Sequence, residues 1–256
     1  MARNNWTREE TILAFNLYCK VPFGKIHASN PEIIQLANYI NRTPSAVAMK
    51  MCNLAAHDPI QKERGVKGLL HGCKTEKLVW EEFEADWEAL AVESEEILRK
   101  IIAKKEVNRV CDIIDIPYGN DKEQIVKQRV GQNFFRSAVL SAYNYRCCIT
   151  GMGISELLIA SHIKPWNISD VKTERTNPSN GLCLNALHDK AFDKGFITLD
   201  MNYKIIVSPV LGEEKLDNVT KDWITGFKGK QIILPNRFKP DKKFLQYHQD
   251  VIFKHN

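Results

Sequence analysis

Hydrophobic periodicity predicts three short helices in the first 60 residues. The first starts at Thr7-Arg8-Glu9-Glu10, which has the pattern of a capping box. The other two start at Asn30-Pro31 and Thr43-Pro44, where a proline suits the first helical position. Apolar residues then recur at helical spacing, at Leu13, Leu17, Ile33, Leu36, Ala37, Ile40, Val47, Met51 and Leu54. We therefore expect residues 1–60 to form a three-helix module.

Residues 61–122 are predicted to contain a loop, one long helix and a linker. Between about 76 and 105, apolar residues form one helical stripe of Trp80, Phe83, Trp87, Leu90, Ile97, Leu98 and Ile101. The later Pro117-Tyr118-Gly119-Asn120-Asp121 stretch is typical of a linker. The long helix is either a spacer or dimerisation helix, or a helix that packs on the rest of the fold.

From residue 123 onward the pattern alternates between short strands and helices. We expect a helix over 123–144, then strands over 157–163 and 182–184, and a short helix that ends at Gly195. Two more strands are expected over 196–199 and 204–208, followed by a strand and a helix within 229–253. The predicted fold class is α+β, with an N-terminal helical module and a C-terminal domain over 123–256.

Composition indicates an ordinary globular protein. Of 256 residues, 44% are hydrophobic and 26% are charged. No apolar run approaches the roughly 20 residues that span a bilayer, and no signal peptide is recognisable, so no membrane partner is expected. The seven cysteines include no Cys-x-x-Cys pair, which favours reduced thiols in a cytoplasmic protein over disulfides or structural zinc.

Charge is distributed unevenly along the chain. The net charge is +5, and residues 1–70 and 201–256 each carry +4, whereas residues 71–108 carry −4. Two basic ends would attract a polyanion such as a nucleic acid. Ordinary variation of a protein surface accounts for the same distribution equally well.

Two histidines and an asparagine are the strongest candidates for chemistry. His162 lies near the end of the first predicted strand of the C-terminal domain, and His188 lies on the short helix. Asn180 follows His162 by 18 residues and precedes His188 by eight. Hydrolysis of a phosphodiester needs a water activated near neutral pH, for which histidine is suited, and a cation for the charged oxygens.

This order of strand, long loop, strand and helix resembles the HNH endonucleases, which have a ββα-metal fold. The residues that carry the resemblance are Ser161-His162-Ile163-Lys164-Pro165, Asn180-Gly181-Leu182-Cys183-Leu184, His188, Phe192-Asp193 and the upstream Arg146-Cys147-Cys148-Ile149-Thr150-Gly151. The resemblance covers about residues 123–253. It implies that His162 is the general base, that His188 is a metal ligand, and that Asn180 keeps the His162 ring oriented.

The metal ligands implied by the resemblance are Ser161, His188 and Asp193. Many HNH enzymes have an aspartate or histidine directly before the base, whereas this chain has Ser161, and a hydroxyl is a weak ligand for Mg²⁺. Asp193 lies five residues after His188 and would reach the metal only from beyond the helix end. Mg²⁺ is the expected ion, with Mn²⁺ and Ni²⁺ as alternatives.

The N-terminal module resembles Myb/SANT-like or helix-turn-helix modules. The matching residues are Trp6-Thr7-Arg8-Glu9-Glu10 and Arg42-Thr43-Pro44-Ser45-Ala46-Val47. The resemblance implies that the third helix contacts DNA, with Arg42, Ser45, Lys50 and Asn53 near its outward side. Arg42 and Lys50 would contact phosphates, and Ser45 or Asn53 a base edge. A solvated helix face or a protein-binding module is the alternative.

Together these expectations describe a metal-dependent DNA endonuclease of a restriction or phage-defence type. A non-catalytic DNA-binding regulator with a degenerate HNH fold is one alternative, for which Ser161 is the best support. A nuclease directed at RNA is another. Because one HNH site normally cuts one strand, breaks in both strands would indicate a homodimer.

Overall fold

The computed structural model describes residues 5–68, 74–107, 120–212 and 216–255. These residues pack into two compact units. The first contains the described residues up to Ala138 together with Val171–Asn177, and the second contains Val139–Asp170 and the described residues from Pro178 onward. The division falls within one helix, away from the boundaries predicted at 60/61 and 122/123, and most of the predicted linker lies outside the described residues. The α+β class is confirmed.

Helices make up the first unit. They are α1 (Arg8–Lys20), α2 (Pro31–Tyr39), α3 (Pro44–Ala55), α4 (Pro59–Glu63), α5 (Lys74–Phe83), α6 (Trp87–Val107) and the beginning of α7 (Asn120–Ala142). The predicted starts of the first three are confirmed. Thr7 and Glu10 form the capping box, and the Asn30 and Thr43 side chains accept hydrogen bonds from the first turns of α2 and α3.

The predicted single helix over 76–105 is wrong, because two helices occupy this stretch. The Asp86 side chain accepts a hydrogen bond from the Ala89 backbone N–H at 3.0 Å and so starts α6 as a new helix. Most of the apolar stripe is nevertheless buried in the first unit. Trp80 stacks on Phe15 of α1 at 4.7 Å between ring centroids, and Trp87 approaches the same ring at 5.9 Å. The stripe therefore packs within its own unit.

The second unit contains two small antiparallel sheets and three helices after the end of α7. Its elements are β1 (Leu158–His162), β2 (Gly181–Asn185), α8 (Ala186–Asp193), β3 (Ile197–Leu199), β4 (Ile205–Val207), α9 (Asn218–Trp223), α10 (Lys242–Tyr247) and a π-helical turn over His248–Ile252. In the pairing of β1 with β2, Leu158 lies opposite Asn185 and His162 opposite Gly181. The strand expected within 229–235 is reduced to a single bridge between Gln231 and Lys204.

The end of α8 is fixed by close contact with the C-terminal segment. Gly195 has a backbone φ of +70°, and a Cβ atom at this position would lie 2.1 Å from the Ile252 carbonyl oxygen. Only glycine fits there. The Lys254 N–H also donates to the Gly195 carbonyl at 3.0 Å. The C-terminal segment therefore packs tightly on the ββα element that carries His162 and His188.

Within the described ranges, none of the helices has both the length and the apolar composition that a membrane span requires.

Candidate functional site

His162 is the last residue of β1 and is half-buried. Its ring meets the Trp166 indole edge-on, with 5.5 Å between the ring centroids and 84° between the planes. Trp166 begins a short 3-10 turn directly after Pro165. The indole therefore bounds one side of the histidine ring. The only signal for Trp166 in the sequence is an aromatic residue four positions after His162, and this did not predict the contact.

Asn180 is fully buried and holds the chain directly after His162. Its side-chain Oδ1 accepts a hydrogen bond from the Lys164 N–H at 2.8 Å, and its Nδ2 donates to the Lys164 carbonyl at 3.1 Å. Its own carbonyl accepts from the Ile163 N–H at 2.9 Å. These three bonds fix the two residues that follow His162. Such a clamp is what the predicted orienting role of Asn180 requires, although the catalytic role itself stays a prediction.

Ser169 reinforces the same turn. Its hydroxyl lies 3.0 Å from both the Lys164 and the Pro165 carbonyl oxygens, to which it can donate. Asn180 Nδ2 lies 3.4 Å from Ser169 Oγ. Hydrogen bonds thus hold the two ends of the segment 164–169 together and connect the segment to the Asn180 side chain. No specific signal marks Ser169 in the sequence, because serine is common in polar loops.

His188 lies in the first turn of α8 and is 1% exposed. The Asn185 Oδ1 accepts from the His188 backbone N–H at 2.9 Å and lies 3.0 Å from the ring Nδ1. The ring Nε2 lies 2.8 Å from the Trp223 carbonyl oxygen. Both ring nitrogens therefore face oxygen acceptors. In this arrangement neither nitrogen directs a free lone pair toward a metal ion.

Cys147 is a further polar neighbour of the His188 ring. Burial raises the pKa of the Cys147 thiol, but hydrogen bonds with His188 and Thr150 lower it more strongly, to about 7. The residue is held in a turn in which the Cys147 N–H donates to the Met152 carbonyl at 2.8 Å. The five described cysteines are free thiols. His188 is thus enclosed by polar groups of the protein itself.

The metal-binding role of Ser161, His188 and Asp193 stays a prediction, because the donor atoms of His188 are engaged by the protein itself. Ser161 Oγ is buried without a hydrogen-bond partner in the described residues, but a hydroxyl alone is a weak ligand. Asp193 lies at the surface, but neighbouring protein groups shield its carboxyl group in part from water, and this desolvation together with nearby Asp189 raises the pKa of the carboxyl group. Within the described ranges, no three His, Cys, Asp or Glu side chains are grouped so that they could hold a metal.

The predicted DNA contacts on α3 are largely buried. Lys50 is 3% exposed, and its Nζ lies 2.6 Å from Glu76 Oε1, to which Asn53 Nδ2 also donates at 3.3 Å. The prediction that Lys50 and Asn53 lie on the outward side is therefore wrong, because α5 covers this side of α3. Arg42 is also mostly buried and binds Glu10 at 2.7 Å. Of the four residues, Ser45 alone is exposed.

Comparison with known proteins identifies one part of the chain. Residues 147–200 match the family model described as HNH endonuclease. This segment contains β1, β2, α8 and the predicted site residues Ser161, His162, Asn180, His188 and Asp193. No curated protein matches the chain. Among solved structures, the chain is similar to a "Modification dependent TagI restriction endonuclease", with 19% identity and a TM-score of 0.28. That similarity covers 45% of this chain and 36% of the other.

Proposed function

From the HNH endonuclease domain in residues 147–200, we propose that this protein is a DNA endonuclease with His162 as its general base. The observation that carries the proposal is the Asn180 clamp on Lys164, which fixes the chain beside the histidine in the matched domain. A general base must keep its ring in one orientation to remove a proton from an attacking water.

The chemistry proposed for His162 is proton transfer from water. An imidazole is suited to this role because it can accept a proton near neutral pH. As the water oxygen attacks phosphorus, its proton moves to His162 and the bond to the leaving ribose oxygen breaks. The Trp166 indole and the Asn180 clamp limit the positions open to the ring. The ring is therefore pre-positioned by its own strand and turn.

HNH nucleases generally use a divalent metal ion, and we propose Mg²⁺ here, with Mn²⁺ and Ni²⁺ as alternatives. Such an ion would stabilise the charge on the phosphoryl and leaving oxygens. The predicted ligands remain Ser161, His188 and Asp193. Since both His188 ring nitrogens face oxygen acceptors, one of these contacts must be exchanged before this residue binds a metal.

DNA is the proposed substrate, and restriction or phage defence is the proposed setting. The basic stretch over residues 201–256 carries +4 and belongs to the unit that contains His162, which favours a polyanionic substrate near the nuclease domain. A separate helical unit in the same chain is consistent with an enzyme directed to particular sites. The role of that unit in DNA recognition stays a prediction.

Cleavage of supercoiled plasmid and of a structured RNA of similar length tests the proposal. Each substrate is incubated with purified protein and Mg²⁺, Mn²⁺, Ni²⁺ or EDTA. We expect nicked and then linear plasmid with at least one cation, no product in EDTA, and intact RNA. Cleavage of RNA alone would favour the RNA-directed alternative. Specific DNA binding without cleavage under any of these conditions would favour the non-catalytic regulator.

A further inference from the structure

The loop between β1 and β2 contains a segment that packs with the helices of the first unit. Val171–Asn177 belongs to that unit, although the residues directly before and after it belong to the second. Within this segment, Thr176 is fully buried. The segment directly precedes the turn Pro178–Asn180, which carries the clamp residue Asn180. The packing of this loop therefore bears on the position of Asn180.

Thr176 contacts α7 at Gly131. A Cβ atom at Gly131 would lie 2.9 Å from Thr176 Cγ2 and 3.9 Å from Glu88 Oε1 of α6. Two carbon atoms that are not bonded to each other are most favourable at about 3.5–4.0 Å, so this approach would be strained. Glycine is less favourable than alanine in the interior of a helix. The glycine at this position is explained by the methyl group of Thr176, which occupies the space of a side chain.

The helices that receive Thr176 are themselves packed on each other. Phe134 of α7 is 1% exposed and stacks on Trp87 of α6, with 6.3 Å between the ring centroids and 22° between the planes. Arg175, next to Thr176, acts on Glu88 of α6. Burial raises the pKa of the Glu88 carboxyl group, and the positive charge of Arg175 opposes this shift. A contact of shape and an attraction of charge therefore hold the loop on α6 and α7.

We propose that Thr176 and Gly131 are positioning residues for the general base His162. Their contact fixes the loop on α7, and the loop fixes the start of the turn that carries Asn180. Asn180 in turn holds Lys164 by two side-chain hydrogen bonds. Thr176 Oγ1 is buried without a hydrogen-bond partner in the described residues, so the contact depends on the shape of the side chain. The inference rests on the proposed function, because it concerns the same site.

An exchange of size between the two residues tests this inference. Gly131→Ala adds a methyl group for which Thr176 leaves no room. The double variant Gly131→Ala with Thr176→Ser removes the opposing methyl group and keeps the hydroxyl. Ser137→Ala is the control, because it also gives α7 a better helix former, about 9 Å further along the helix axis. Thermal unfolding shows whether each variant is folded.

The first readout needs no cleavage. Hydrogen exchange of the full chain in EDTA, followed by mass spectrometry, measures the protection of the Lys164 N–H within residues 162–170. We expect Gly131→Ala to accelerate this exchange about tenfold or more, and the double variant to return it to within about threefold of the wild-type rate. Ser137→Ala should leave the rate unchanged. Equal exchange in all four proteins would overturn the inference.

The second readout is plasmid nicking with the cation that supports wild-type cleavage. Gly131→Ala should lower kcat by about 10- to 10²-fold and change KM by less than about threefold, because a displaced base affects the chemical step more than binding. The double variant should recover most of kcat. A slow Gly131→Ala enzyme that Thr176→Ser does not rescue would overturn the inference. If the exchange rates differ as expected but even the wild type cuts no DNA, the proposed function fails and the anchoring of the clamp is supported.

Discussion

At the scale of single residues, Asn180 determines the backbone next to the predicted base. Its carboxamide satisfies both the N–H and the carbonyl of Lys164, and its own carbonyl accepts from Ile163. An aspartate at this position could accept from the N–H but could not donate to the carbonyl. The amide is thus matched to one backbone residue, which explains why an asparagine and not merely a turn-forming residue stands before Gly181.

Replacement of Asn180 by alanine should damage both stability and activity. Asn180→Ala leaves the Lys164 N–H without its partner and should reduce the free energy of unfolding by about 1–3 kcal/mol. Because the chain after His162 would then move, kcat should fall more than KM rises. Urea unfolding and plasmid nicking measure the two effects. The control is Ser169→Ala, which removes a hydroxyl from the same turn but keeps the Asn180 amide. Its losses of stability and of nicking rate should be smaller than those of Asn180→Ala. Equal losses in the two variants would contradict the role of the Asn180 amide.

Residue-level prediction from the sequence was better for the second unit than for α3. His162 and Asn180 could be placed because a strand end and an Asn-Gly turn are local features. The outward position that the resemblance implies for Lys50 is wrong, because its charge is paired inside the unit. Lys50 lies three residues after Val47 and four before Leu54, and therefore on the face of α3 that is buried.

At the scale of elements, a buried ion pair holds α5 on α3. Lys50 and Glu76 are 3% and 2% exposed, and Glu76 Oε2 has no hydrogen-bond partner in the described residues. Loss of one partner leaves the other charge buried. We expect Glu76→Ala to reduce the free energy of unfolding by about 3–5 kcal/mol, whereas Lys50→Met combined with Glu76→Leu should recover most of it. Urea unfolding measures this, and a loss below about 1 kcal/mol in the single variant would contradict the interpretation.

A second element-level prediction concerns the π-helical turn at His248. The His248 ring stacks on Phe192 at 3.7 Å, its Nδ1 lies 2.8 Å from Thr198 Oγ1, and its Nε2 lies 3.1 Å from the Phe192 carbonyl oxygen. Burial lowers its pKa to about 4, against a small opposite effect of the Phe192 carbonyl. In the folded unit the His248 ring is therefore neutral at pH 7. It takes up a proton only at a lower pH than the same ring does in the unfolded chain.

Because the folded pKa lies below the ordinary value of about 6.5, the contribution of His248 to stability is complete above pH 6.5 and is lost as the pH falls toward 4. The loss at pH 4 should be about 3 kcal/mol. Urea unfolding between pH 7 and 4 of the wild type and of His248→Gln measures it, since glutamine does not titrate. The same pH dependence in both proteins would show that His248 has no such role.

The elements themselves were predicted where the signal was local. The capping residues and the apolar spacing gave α1, α2 and α3, and alternation gave β1 to β4 near their expected positions. The break between α5 and α6 was missed because the apolar stripe continues across it. In the sequence, the capping residue Asp86 is a weaker signal than that stripe. In the structure, its side chain accepts a hydrogen bond from the Ala89 N–H and so sets the start of α6.

At the scale of the whole molecule, the chain joins a helical unit to a unit that contains most of the segment matching the HNH endonuclease family model. The order of strands and helices in the segment 147–200 could be predicted because these elements follow one another within about 50 consecutive residues. The surroundings of His188 could not be predicted, because Trp223 lies 35 residues after His188 in the sequence and Cys147 lies 41 residues before it. Contacts of this kind depend on how distant segments pack, which no local pattern encodes.

The most direct test of the account is plasmid cleavage by His162→Ala beside the wild type, with the cation that gives the wild type its highest rate. The exposed His255 provides the matched control His255→Ala, since it lies in the same unit away from the clamp. We predict that the initial nicking rate of His162→Ala falls by about 10²- to 10⁴-fold, with unchanged thermal stability and DNA affinity, and that His255→Ala cuts normally. A His162→Ala protein that nicks within about tenfold of the wild-type rate would contradict the assignment of His162 as the general base.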